Sequence, residues 1–172
     1  MDNRQTDARS QPPSLADRAA LGRAWRRIAA TVHLVTAMED GKPRGMVATA
    51  VSSLSFDPPS LLVCINRGTS FHDMLAPGHE IAVNALHRDQ QRLAELFAAP
   101  DRRDERFAGP DWDLTGTVPA CLNAQAVFRC RVREMHVFGS HSVAMCEITE
   151  VSVRDALDPL LYVDGGFVGL PG

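Results

Sequence analysis

The residues best placed for chemistry are polar side chains set among apolar, strand-like runs. Thr49, Ser52 and Ser53 interrupt one such run, Asn66 ends the next, and Arg67-Gly68-Thr69-Ser70 follows at once. Together they offer hydroxyls, a carboxamide and a guanidinium that could satisfy a bound ligand. The Arg67 to Ser70 segment has the make-up of an anion site, because Gly68 permits close backbone approach and Thr69 or Ser70 caps a helix whose first amides face outward. A plainer explanation fits the same residues: a strand-to-helix turn with a capping hydroxyl, and Thr49, Ser52 and Ser53 on the solvent face of a half-buried strand. His141, in the turn Gly139-Ser140-His141, is either a functional imidazole or a solvated turn histidine.

Other chemistries find no support in the spacing. Cys64, Cys121, Cys130 and Cys146 show no Cys-x-x-Cys pair and lie in strand-like segments, where a thiol acts as a small buried hydrophobe, so neither a disulfide framework nor zinc is expected. The six histidines never form His-x-x-x-His, and no metal site is expected. No nucleophile motif is present. No Gly-x-Gly-x-x-Gly follows a strand, so a Rossmann cofactor site is not encoded.

The chain that must position these residues has 172 of them, 45% apolar and 23% charged, which is one domain with enough material for a core. Eighteen basic against twenty-one acidic residues give a net charge of −3, which lacks the electrostatic footprint of a nucleic-acid binder. The longest apolar runs, such as Leu61 to Ile65, fall far short of the roughly 20 residues of a membrane helix. Met1 to Pro13 is polar with no apolar signal core, so a soluble, cytoplasmic protein is expected.

Residues 1–13 read as a mobile tail and 14–172 as the folded domain. Ser14 looks like a cap, with Asp17 three residues on, for a helix reaching Ala30 whose Leu21, Trp25 and Ile28 share one face; Trp25 reads as a core anchor. Thr31 to Ala37 and Gly45 to Ser55 form a hairpin about Glu39-Asp40-Gly41-Lys42, and Asp57-Pro58-Pro59 stops the second strand. Leu61 to Asn66 and Ile81 to Leu86 read as buried strands, with a short helix from Phe71 to Leu75 between them. His87 to Phe97 is a second longer helix, and Ala98 to Pro119 a long surface excursion. Leu122 to Val137, Ser142 to Val153 and Leu160 to Val163 are the last strands. His33 and His136 are expected at the surface or rim. So many strands with so few helices, and no βαβ alternation, favour a closed or partly closed antiparallel barrel.

Several of these segments match a known pattern in order: Gly45-Met46-Val47-Ala48-Thr49-Ala50-Val51-Ser52-Ser53-Leu54-Ser55, then Asp57 to Ser70. Val83-Asn84-Ala85-Leu86, Arg106-Phe107-Ala108-Gly109, Gly139-Ser140-His141 and Leu160-Leu161-Tyr162 follow. On them the sequence resembles, from about Trp25 to Leu170, the flavin reductase-like domain proteins, short-chain NAD(P)H:flavin oxidoreductases that serve two-component monooxygenases. The resemblance implies a mainly β, FMN-binding split barrel with a few flanking helices, usually a homodimer with the flavin in a groove near the subunit interface. It implies hydride transfer from NADH or NADPH to FMN or FAD, and release of reduced flavin to a partner monooxygenase.

By the same resemblance, Met46, Val47, Ala48, Thr49 and Ala50 run past the isoalloxazine. Ser53, Cys64, Ile65, Asn66, Arg67, Ser70 and Phe71 hold the flavin with its ribityl chain and phosphate, and Arg106 and Phe107 close the site. His141 lies beside the nicotinamide. Relatives commonly carry Gly-Asp-His in that turn, so Ser140 replaces an orienting carboxylate. Val47 stands where relatives often have threonine, which implies one flavin contact fewer, or a preference for FAD. Two alternatives remain open: an enzyme that keeps FMN and reduces another acceptor, and a non-catalytic flavin-binding barrel.

Overall fold

The computed structural model describes residues 15–170; the expected tail over residues 1–13 and the cap at Ser14 lie outside them. Helix α1, Leu15–Trp25, leads into short strand β1, Ala30–Thr31. The helix is shorter than the sequence predicts. It also packs differently: Leu21, Trp25 and Ile28 are 51%, 64% and 56% exposed, so Trp25 is no core anchor of this chain. Ile28 lies beyond the end of the helix, so the three residues do not form the single helical face that the periodicity predicts.

Strands β2, His33–Glu39, and β3, Lys42–Ala48, form the expected hairpin, with Asp40 and Gly41 at positive φ in the turn. The single strand expected from Gly45 to Ser55 is instead two. After Ala48 the chain breaks at Thr49-Ala50 and resumes as β4, Val51–Phe56, which pairs with β5, Pro59–Asn66, rather than with β2. The physical reason is that β2 begins at His33, opposite Ala48, and the residues before it, Ala30 and Thr31, pair with a strand of another sheet; β6, Glu80–Ala85, takes the other side of β2. Residues beyond Ala48 therefore find a different sheet edge.

Between β5 and β6 lies α2, Ser70–Asp73, capped by Thr69, whose hydroxyl accepts from the His72 amide. The helix expected from His87 begins as a single turn over Arg88–Gln90, with His87 and Gln90 in a capping box, and continues as α3, Gln91–Ala98. The remaining strands are β7, Trp112–Asp113; β8, Ala120–Cys121; β9, Ala126–Phe138; β10, His141–Val153; β11, Leu161–Val163; and β12, Gly166–Val168. The seven main strands form one antiparallel sheet in the order β3-β2-β6-β9-β10-β5-β4. Its edges, β3 and β4, are consecutive in the chain yet share no ladder, so the sheet curls without closing. No helix among the described residues is long and apolar enough to cross a membrane.

Side-chain alternation gives the central strands two apolar faces. Leu34 and Ala82 join one cluster with Leu93, Phe97 and Trp112, whereas Val35, Ile81 and Val83 join another with Ile65, Phe71 and Cys146. Thus β2 and β6 are buried on both sides, unlike the exposed β4. His33 is buried with them rather than at the rim; desolvation pushes its imidazole down to about 4, against weaker opposing contacts with the Thr31 and Ala48 backbone. His136 is exposed and pairs with Glu134. All four thiols are free; burial pushes Cys121, Cys130 and Cys146 up to about 12, while Cys64 is only half-buried.

The stretch expected as a surface excursion is tied down. It carries a short helical turn over Pro100–Glu105 and then buries Trp112 against Phe97 and Phe107, with ring centroids 5.6 and 4.7 Å away. Asn84 fastens its far end: its amide nitrogen donates to the Leu34 carbonyl at 2.9 Å, and its Oδ1 accepts from the Cys121 amide at 2.7 Å. Thr36 adds a bond to the Pro119 carbonyl at 2.6 Å.

Candidate functional site

The break between β3 and β4 opens into a groove of about 730 Å³. That volume falls in the range of small-molecule and cofactor sites. Its floor is the chain from Pro43 to Ala50; α2 and the end of β5 form one wall, and Phe97 with the turn at Pro100 to Phe107 the other. Twelve of the fifteen residues expected at a site border it: Met46, Val47, Ala48, Thr49, Ala50, Cys64, Asn66, Ser70, Phe71, Arg106, Phe107 and His141.

Three residues stand elsewhere. Ile65 is fully buried in the core, because on β5 it faces the opposite way from Cys64 and Asn66. Ser53 borders a second depression on the outer side of the break, with Thr49, Ser52, Ser60 and His33. Arg67 leans on the neighbouring turn: its Nη1 donates to the Gly139 carbonyl at 3.2 Å and its amide to the Ser140 carbonyl at 2.9 Å. The Arg67 to Ser70 segment is thus in large part the plain capped turn. Asn66 Oδ1 accepts from the Gly68 amide at 2.8 Å, and the Thr69 hydroxyl donates to the Asn66 carbonyl at 2.8 Å.

The floor carries the most telling polar feature. The ladders of β3 and β4 stop on either side of Thr49-Ala50, and the amides of these two residues meet no hydrogen-bond partner among the described residues. Only the Ala50 carbonyl is engaged, accepting from the Cys64 amide at 2.9 Å. Two exposed donors at the edge of a groove suit a ligand with carbonyl and ring-nitrogen acceptors. Apolar Met46, Met74, Phe97 and Phe107 supply surfaces for a flat ring, and the Asn66 carboxamide nitrogen and the Ser70 hydroxyl remain for its polar substituent. The residues present fit a flavin.

His141 sits at the rim, opposite Asn66 in the β5–β10 ladder. Its Nδ1 lies 2.9 Å from the Ser140 hydroxyl, so the serine contacts the imidazole. Behind it, His72 Nε2 lies 2.9 Å from the buried Ser142 hydroxyl, which holds α2 against β10.

Arg106 proves to be a strut. Its guanidinium donates to the carbonyls of Gly45 at 3.1 Å, Phe97 at 2.7 Å and Ala99 at 3.2 Å, and stands 5.2 Å from the Phe97 ring centroid. Burial, and secondarily the charge of Arg103, hold it below the ordinary guanidinium range. Gly45 makes this approach possible, since a Cβ there would meet Phe97 at 2.7 Å. Sequence reasoning missed Glu39, Arg44, Met74, Phe97, Pro100 and Arg103 along the groove. Phe97 was visible only as the last apolar residue of its helix, and the charged residues carried no signal among the many others of that stretch.

The family profile described as flavin reductase like domain matches residues 25–171. A curated relative, the FMN reductase (NADH) RutF 1 of Methylorubrum extorquens strain PA1, is 38% identical over 167 residues, covering 96% of this chain and 83% of the relative. Among solved structures, BorF, the flavin reductase component of a bacterial two-component tryptophan halogenase, superposes with a TM-score of 0.80 at 32% identity, covering 91% of this chain and 99% of that one. The NADH:FAD oxidoreductase SgcE6 of Streptomyces globisporus C-1027, in complex with NAD and FAD fragments, gives 0.82 at 25% identity, covering 94% and 98%. With the profile spanning nearly all of the groove-forming sheet, this chain belongs to the flavin reductase like domain family.

Proposed function

We propose that the protein is an NADH- or NADPH-dependent flavin reductase that binds FMN or FAD in the groove and releases the reduced flavin to a partner monooxygenase. The observation that carries this reading is the pair of unpartnered amides at Thr49 and Ala50, set in the floor of an apolar groove in a chain of this family. When bound, flavin and nicotinamide supply the hydride transfer themselves, which explains a site without a protein nucleophile. The protein's share is binding and alignment.

In this reading the Thr49 and Ala50 amides hold the polar edge of the isoalloxazine, where fixed donors favour added negative charge. Asn66 and Ser70 take the ribityl and phosphate end. Phe97 and Phe107 pack on the ring and keep water off it, and Arg106 fixes both to the floor through Gly45, Phe97 and Ala99. His141, turned by Ser140, meets the nicotinamide at the open rim. The curled sheet is read as the split barrel, and a homodimer is proposed to cover its exposed apolar surface. Release to an oxygenase is supported by BorF, itself named as the reductase of a two-component system. NADH is favoured over NADPH because both RutF 1 and SgcE6 are named for it.

The test is to mix the protein with each flavin and each reduced nicotinamide and follow the nicotinamide and flavin absorbance bands. Turnover well above the protein-free rate is expected with FMN or FAD. Flavin that binds without nicotinamide oxidation would leave only a flavin-binding protein. Flavin that stays bound through gel filtration would place its electrons on another acceptor.

A further inference from the structure

The groove is longer than its flavin-facing residues require. On β3, Arg44 and Ala48 are four residues apart, which at ~3.3 Å per residue separates the two ends by roughly 13 Å. Thr49, Cys64, Asn66 and His141 border one end, and Glu39, Arg44, Pro100 and Arg103 the other.

The cations at that second end are not equivalent. Arg106 gives its Nη1 and Nη2 to three backbone carbonyls beneath the groove, with its Nε buried and unpartnered among the described residues. Arg44 is paired with Glu39 at 2.8 Å. Arg102, next door, is paired with Glu105. Arg103 is exposed and makes no ion pair or side-chain hydrogen bond among the described residues, although Asp101 and Asp104 flank it in sequence. It lines the same groove as Arg106. Its backbone is held, because its carbonyl accepts from the Arg106 amide at 3.4 Å in the turn that Arg106 anchors. A guanidinium with no counter-ion among the described residues, at the edge of a groove and on a fastened turn, is suited to a phosphate.

We propose that Arg103 is a specificity-determining residue that takes the second phosphate of a dinucleotide laid along the groove. It thereby favours dinucleotide over mononucleotide ligands; the Arg44–Glu39 pair beside it lends little net charge. This rests on the flavin reductase reading above. The same chemistry has two sources, the pyrophosphate of the nicotinamide dinucleotide and that of FAD.

The test compares the wild type with Arg103→Gln and Arg103→Glu, with Arg103→Lys as the charge-keeping control. In one arm, kcat/KM is measured for NADH and for reduced nicotinamide mononucleotide at saturating FMN. In the other, FAD and FMN are titrated at equilibrium by fluorescence, which needs no turnover. Loss of one exposed, charge-assisted contact is expected to lower the dinucleotide preference roughly fivefold in Arg103→Gln, more in Arg103→Glu, and little in Arg103→Lys. A change in the first arm alone assigns the nicotinamide dinucleotide, and a change in the second alone assigns FAD. Equal ratios in all four proteins overturn the proposal. A wild type that binds both flavins but oxidises neither nicotinamide sinks the reductase reading, and the titration then decides on Arg103 alone.

Discussion

The imidazole of His141 is met by a hydroxyl rather than a carboxylate. At 2.9 Å from Nδ1, Ser140 can set the ring's orientation but adds no full charge to it. Ser140→Ala is therefore expected to lower kcat/KM for the nicotinamide by about two- to fivefold, and His141→Ala by more, in steady-state assays at saturating flavin. Equal activity in both variants would place His141 outside the site. At this scale the motifs named most of the groove, and their errors have a geometric cause. A contiguous motif lists neighbours, whereas a strand sends neighbours to opposite faces, so Cys64 and Asn66 reach the groove while Ile65 goes to the core. Arg67 stands outside the groove lining for another reason: one of its guanidinium nitrogens reaches a turn carbonyl more than seventy positions away in sequence.

Among the elements, the fastening of residues 98–121 to the sheet matters most for the site, because Arg106 and Phe107 stand on that stretch and pack against Phe97 at the end of α3. Asn84, fully buried, bonds Leu34, Thr36 and Cys121 at once. Asn84→Ala strands buried partners and is expected to cost about 2 to 4 kcal/mol in urea unfolding, with weaker flavin binding as the wall loosens. A Gly45→Val variant tests the same wall from the floor: its side chain would collide with the Phe97 ring, and flavin affinity is expected to fall by on the order of tenfold while secondary structure by circular dichroism is kept. Element types were legible from period and turn residues. The break at Thr49-Ala50 was not, since nothing in the run from Gly45 to Ser55 says that its partner strand ends opposite Ala48. The helix α1 was legible as an element, but its end at Trp25, before Ile28, was not.

For the molecule as a whole, the buried His33 makes stability depend on pH. Its folded value, about 4, lies below the ordinary 6.5, so the unfolded chain binds the extra proton first. The stabilisation is complete above pH 6.5 and drains away as pH falls towards 4, at up to ~1.4 kcal/mol per pH unit and roughly 3 kcal/mol in all. Urea midpoints measured across that interval are expected to flatten in His33→Gln relative to the wild type. Exposure of Trp25 at 64%, Phe56 at 97% and Val153 at 70% is more apolar surface than a lone chain ordinarily shows to water. Light scattering is expected to return twice the 18.7 kDa chain mass, with Phe56→Glu shifted towards one; a wild-type mass of a single chain would count against the homodimer.

The pairing of Asn66 with His141 carries a consequence for biosynthesis. The two rim residues become neighbours only when β10, the last long strand to leave the ribosome, lies down beside β5. Contacts this distant in sequence form slowly and late. A chain that stops before residue 141 thus lacks the rim, and full cofactor affinity is expected only once β10 is in place.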